Sequence, residues 1–158
     1  MARRALTGIL LAGGESRRFG SDKSLAVVDG QTMQERAWGL LGEACDERIL
    51  VGRGDDPGTG PVGAIAVGLR AATHEIAIVI PVDMPLLTVD ALHALADACR
   101  DAAVAQAGPL PCAIRRASFP KTGERRLRTV LAGLDTATVE LEQTVLVNVN
   151  FPGDLEAL

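Results

Sequence analysis

The sequence predicts a three-layer α/β fold of the Rossmann-like class with a mostly parallel sheet. Three observations carry that reading. Short apolar runs that look like buried strands alternate with longer stretches of helical periodicity from residue 6 to residue 99. Hydrophobic residues make up 47% of the chain and aromatics only 3%, so the core must be built from Val, Ile, Leu and Ala, which suits a sheet under Ala/Leu helices better than an aromatic-lined barrel. Glycine or proline closes each of the first three strand runs, which leaves strand–helix–strand units joined by right-handed crossovers. At 158 residues the chain fits one domain, residues 1–158.

Leu6 to Leu11 is the first buried strand, stopped at Ala12-Gly13-Gly14. Gly13 to Asp22 is polar, basic and glycine-rich, hence a loop, and Asp29-Gly30 marks a turn. From Gln31 onward, Met33, Ala37, Leu40, Leu41 and Ala44 recur at helical spacing. Arg48 to Val51 reads as a second buried strand ending at Gly52, and Asp55 to Pro61 holds too many breakers for a regular element. Val62, Ile65, Ala66 and Leu69 trace a second helix. Ile76 to Val82 is the strongest strand signal. Thr88 is the expected N-cap of a third helix, with Asp90 in its first turn and Leu92, Leu95, Ala96 and Cys99 as its buried stripe. Beyond it, Pro111 to Arg116 predicts a strand, Leu127, Val130, Leu131 and Leu134 a helix, Thr138 to Leu141 and Val145 to Val149 two short strands, and Pro152 the start of a last helix.

Charge narrows the function classes. Sixteen basic against twenty acidic residues give a net charge of −4, which argues against nucleic-acid binding and confines any phosphate contact to local clusters. Cys45, Cys99 and Cys112 match no zinc or redox spacing and read as buried or half-buried thiols of a reducing, cytoplasmic compartment; His74 and His93 read as structural. No apolar run approaches the ~20 residues of a membrane span, and no secretory signal opens the chain.

Parallel α/β sheets bind ligands at the carboxyl ends of their strands. Here those ends are Gly13-Gly14, Gly52 and Asp83. Two glycines after a strand let backbone approach a ligand, and exposed N–H groups in such a turn cradle an anion, although a simple chain reversal would look the same. Arg18 and Lys23 can add charge-assisted bonds to a triphosphate. Neither the P-loop nor the dinucleotide fingerprint fits this loop. Asp83 stands at a strand end between Pro81 and Pro85, the rigid setting that a phosphate-bridging Mg²⁺ requires; its alternative role, a first-turn acid for the third helix, is already filled by Thr88 and Asp90. Asn148 and Asn150 share one face of a strand end, or else form a turn ahead of Pro152. The arginines from Arg115 to Arg128 either meet an anionic acceptor or are solvated faces.

The string LAGGESRRFGSDKSL, residues 11–25, resembles the signature of the nucleotidyltransferases with a GT-A-like fold, the nucleotide-diphospho-sugar transferase class, and within them the molybdenum cofactor guanylyltransferase, or MobA-like, branch. GPVGAI (60–65), PVDMPLL (81–87), GERRLRTVL (123–131) and NVNFPGDL (148–155) continue the likeness. The resemblance implies transfer of GMP from GTP to the molybdopterin cofactor, with Leu11, Ala12, Gly13, Gly14 and Gly52 around the nucleotide, Lys23 on phosphate or base, Arg18 on phosphate, Asp83 on Mg²⁺, and Asn148 and Asn150 near the acceptor. It also implies transient contact with cofactor-delivering or molybdoenzyme-maturation proteins. Other readings of the same fold are a cytidylyltransferase and a nucleotide-binding module without turnover. Gly52 stands where the family often has Asn, the stretch before GPVGAI is short, so that neither Asp55 nor Asp56 aligns with the family's Asp there, and Phe151 replaces the usual Thr before Pro152.

Overall fold

The computed structural model describes residues 4–12, 31–52 and 60–149, together with the backbone of 27–28. Gly13, Gly14, Arg18, Lys23, Asp55, Asp56, Asn150 and the expected last helix at Pro152 lie outside the described residues.

Six strands form the main sheet: β1 (Leu6–Leu11), β4 (Glu47–Val51), β5 (Ile76–Pro81), β6 (Ala102–Ala105), β7 (Gly108–Arg115) and β8 (Thr136–Val139), in the order β4-β1-β5-β7-β6-β8. A small ribbon, β2 (Val27–Val28) with β3 (Gln31–Thr32), precedes the first helix. β4, β1 and β5 pair in parallel, as do β6 and β8; β7 alone runs the other way. The sheet is mixed and mostly parallel, as the sequence predicts.

The strands alternate cleanly between two apolar faces. Leu6, Leu10, Ile76, Ile78 and Ile80 pack with α1 (Met33–Ala44) and α3 (Val89–Ala98), while Ile9, Ala77, Val79, Cys112 and Ile114 pack with α2 (Gly60–Ala71) and α4 (Leu127–Ala132). Strands covered on both faces have no polar side, which is why β1 and β5 read as unbroken apolar runs. Two glycines let the helices come close. A Cβ on Gly8 would sit 2.8 Å from Leu41 Cδ2, and one on Gly68 would sit 2.9 Å from two carbons of Ile9.

Local chemistry fixes the helix starts. Thr32 and Glu35 form a reciprocal capping box on α1, with bonds of 3.0 and 3.2 Å. Thr88 accepts from the Ala91 amide at 3.2 Å, as expected, with Asp90 in the first turn of α3. Pro61 lies in the first turn of α2, where its missing N–H costs nothing, so that helix begins inside the stretch read as irregular.

Several expectations are corrected. β4 is an edge strand with Arg48 and Leu50 exposed; Arg48 covers the flank by lying 4.4 Å over the Trp38 ring. β6 is an extra strand, β7 starts at Gly108 rather than Pro111, and β8 lies two residues ahead of the predicted strand. Residues Gln143–Leu146 form a 3-10 turn, not a strand. Cys99 caps the end of α3 and is only half-buried.

Candidate active site at the carboxyl rim of the sheet

Register brings the site together. Leu11 pairs with both Val51 and Pro81, so the chain leaves three adjacent parallel strands at one level. The Ala12 amide donates to the Val51 carbonyl at 2.9 Å, which holds Leu11, Ala12 and Gly52 side by side, all half-buried. Asp83 follows two residues after Pro81 on the same rim.

Burial on either side aims the Asp83 carboxylate. Val82 and Met84 are each only 5% exposed and Leu87 7%, so the turn is anchored by apolar side chains that go inward. Asp83 between them is half-buried, with its Oδ1 withdrawn from solvent. Two other elements clamp this turn. The Val149 amide donates to the Asp83 carbonyl at 2.7 Å, and Arg36 Nη2 on α1 donates to the Pro85 carbonyl at 2.9 Å. Val149 is fully buried and its neighbour Asn148 is exposed, so Asn148 stands beside the Asp83 turn with its amide available to a ligand.

The arginine-rich stretch splits into two groups. Gly60 opens α2 with φ of +77°, and the Arg125 carbonyl would stand 3.3 Å from any Cβ there, so Arg125 sits at the rim beside the start of α2. An Arg128 guanidinium nitrogen comes within 3.6 Å of a Cβ placed on Gly108, the partner of Ala105 at the end of β6 and on the same rim. Arg115, by contrast, pairs with Ile76 at the beginning of β5, and the Arg116 amide donates to the Glu75 carbonyl. That is the opposite edge, about 17 Å away at the rise of a six-residue strand. Arg115 is bonded to Glu75 and Arg116 to the Ala72 carbonyl. Of the two readings the sequence leaves open for this stretch, an acceptor contact does not suit Arg115 and Arg116, whose reversed position follows from the antiparallel run of β7.

The rim's donor chemistry suits a hard cation. Among the described residues no three His, Cys, Asp or Glu side chains gather as a metal cage. Mg²⁺ is commonly held by one or two carboxylates plus substrate phosphates and water, so the Asp83 carboxylate at the rim fits it. Arg36 gave no signal in the sequence, because a helix arginine that bonds a distant carbonyl looks like any solvated one.

The model of the MobA-like NTP transferase domain matches residues 8–139. The chain belongs to that family. Two relatives, each named "Probable molybdenum cofactor guanylyltransferase", from Mycobacterium marinum and Mycobacterium ulcerans, are 31% identical over 97% of this chain and 92% of their own length. Among solved structures, a nucleotidyl transferase from Methanothermobacter superposes with a TM-score of 0.83 at 20% identity, covering 97% of this chain and 95% of that one. The molybdopterin-guanine dinucleotide biosynthesis protein A of Archaeoglobus fulgidus gives 0.71 at 20% identity, covering 96% and 95%. These two show that the MobA-like chain has the nucleotidyltransferase fold. The family match spans Leu11, Ala12, Gly52, Asp83 and Arg125; Asn148 lies beyond it. No helix among the described residues is long and apolar enough to cross a membrane.

Proposed function

We propose that this MobA-like protein transfers GMP from GTP to the molybdenum–molybdopterin cofactor and releases pyrophosphate. The observation that carries the reading is the shared level of Leu11, Ala12, Gly52 and Asp83 at one sheet rim, in a chain aligned almost end to end with relatives of that name. An acceptor phosphate oxygen attacks the α-phosphorus of GTP, the α–β bridging bond breaks, and its electron pair leaves with pyrophosphate. The chain needs no covalent nucleophile for this; its contribution is positioning and charge neutralisation.

Backbone of Leu11, Ala12, Gly13 and Gly14 holds the nucleotide, with Gly52 beside the base. Lys23 and Arg18 neutralise the charge moving onto pyrophosphate. Asp83 would hold Mg²⁺, which would supply charge neutralisation to the triphosphate there. Asn148, Asn150 and Arg125 orient the acceptor, with Asn148 and Arg125 supported by their places on the rim. The protein's place would be the cytoplasm, where GTP is at hand.

Pyrophosphate release with GTP, CTP or ATP, each with and without molybdopterin cofactor and Mg²⁺, tests the proposal. Release that needs GTP, acceptor and Mg²⁺ together supports it. A preference for CTP would move the protein to cytidylyl transfer, and binding of GTP without release under any condition would make it a nucleotide-binding module.

A further inference from the structure

We propose that Arg36 is a positioning residue for transfer, acting through the turn that carries Asp83. The inference rests on Asp83 being the Mg²⁺ ligand. Within the turn from residue 82 to residue 87, Pro85 has no amide hydrogen to donate, and the backbone bond from Leu87 to Met84 is long at 3.4 Å. Beside its buried apolar side chains, two bonds from outside fix it: the Val149 amide on the Asp83 carbonyl, and Arg36 on the Pro85 carbonyl two residues later.

Arg36 does not reach that carbonyl by simple close packing. A cleft of about 260 Å³ lies between α1 and the turn, lined by Glu35, Arg36, Leu40, Met84, Pro85 and Leu87. Arg36 forms part of its wall, with Nε withdrawn from solvent and Nη2 on the Pro85 carbonyl. A guanidinium bond to a carbonyl is charge-assisted and geometrically rigid, where lysine would offer one mobile ammonium. α1 itself is set by the Thr32–Glu35 capping box immediately after the β2–β3 ribbon. Arg36 thus ties the helix that follows the nucleotide loop to the carboxylate that faces the phosphates. Its effect is on where Asp83 stands when metal and triphosphate arrive together, since outer partners of a metal-holding group fix that group's geometry.

Calorimetry of GTP binding with and without Mg²⁺ tests this, on the natural protein, Arg36→Met, Arg36→Lys and Asp83→Asn, beside a thermal melt of each. The quantity read is the factor by which Mg²⁺ raises GTP affinity. It should be largest in the natural protein, abolished in Asp83→Asn, and cut about tenfold in Arg36→Met, in line with the usual effect of removing such a partner. Mg²⁺-free GTP affinity should stay unchanged, and Arg36→Lys should recover part of the factor. If Arg36→Met loses its melting transition, the Lys variant carries the same comparison. An unchanged factor in a folded Arg36 variant would overturn the proposal and leave the Asp83 reading standing. An equal loss of Mg²⁺-free affinity would reduce Arg36 to general support of the fold and overturn it too. Absence of any Mg²⁺ effect in the natural protein would sink the Asp83 assignment and this inference together.

Discussion

The Val149 amide donates to the Asp83 carbonyl at 2.7 Å, which brings the residues after the last 3-10 turn against the end of the central strand. With Val149 buried, Asn148 is presented at the rim rather than lost in a tail. Asn148→Ala removes an exposed amide and leaves this backbone bond in place. Acceptor KM should rise about tenfold, the value of one hydrogen bond to a charged group, with GTP affinity unchanged. Steady-state kinetics with acceptor varied check it; an effect confined to GTP would place Asn148 on the nucleotide instead.

Arginine position gives a paired prediction. Arg125→Ala should weaken acceptor use, because Arg125 stands at the rim beside Gly60. Arg115→Ala should leave turnover unchanged, because its guanidinium is bonded to Glu75 at the far edge. Equal kinetic losses in the two variants would contradict the assignment of the rim.

Much of this was legible in the sequence, and the gaps have physical causes. β1, α1, β5 and α3 are continuous in pattern because each buries a full apolar face or stripe. β6 escaped because Ala102 to Ala105 carries little strand propensity and owes its burial to the covering helices. β7 looks shorter in the sequence because Gly108 and Pro109 read as breakers ahead of Pro111. Pro109 and Pro111 are tolerated because β5 pairs with β7 only from Cys112 onward and the β6 register shifts at Val104/Ala105, so neither proline's missing amide is needed in a ladder there. Val145 to Val149 imitated a strand. Its first two residues close the 3-10 turn at Leu146, so the alternation of Val145, Val147 and Val149 is not that of a strand. Of the site, the rim residues Leu11, Ala12, Gly52 and Asp83 were readable from strand ends, whereas Arg36 and the division of the arginines depend on contacts distant in sequence.

At the opposite end of the strands the Glu47 carboxylate accepts three hydrogen bonds. Buried Thr7 donates to Glu47 Oε1 at 2.6 Å, and the Thr73 amide and hydroxyl bond the same carboxylate, each at 2.8 Å. The Thr7 hydroxyl bond, then the Thr73 amide, holds the Glu47 carboxyl below its ordinary value of 4.5. A depressed carboxylate stabilises the fold above its unfolded pKa and loses that contribution as pH falls through the folded one. Thr7→Val should therefore cost about 1–2 kcal/mol at pH 7. Urea titrations should show the gap between variant and natural protein narrowing from pH 4.5 downward. A gap independent of pH would mean that the hydroxyl matters for packing alone.

Gly68→Ala sets helix propensity against crowding. Alanine gains about 1 kcal/mol in a helix interior. Its Cβ would lie 2.9 Å from both Cδ1 and Cγ2 of fully buried Ile9, a β-branched side chain with little room to turn. Overpacking of this kind costs about 1–3 kcal/mol, so the variant should be destabilised on balance. Adding Ile9→Val removes one of the two clashing carbons and should recover part of the loss. A more stable single variant would show that α2 shifts outward at no cost.

The most direct test of the rim as the transfer centre is pyrophosphate release from GTP and molybdopterin cofactor by Asp83→Asn. Val82, Met84 and Leu87 anchor the turn independently of the carboxylate, so the variant should fold with an unchanged circular dichroism spectrum. Loss of the oxygen proposed to hold Mg²⁺ should lower turnover about a hundredfold or more, the scale of several kcal/mol of charge stabilisation. A folded Asp83→Asn protein that releases pyrophosphate at the natural rate would contradict the account.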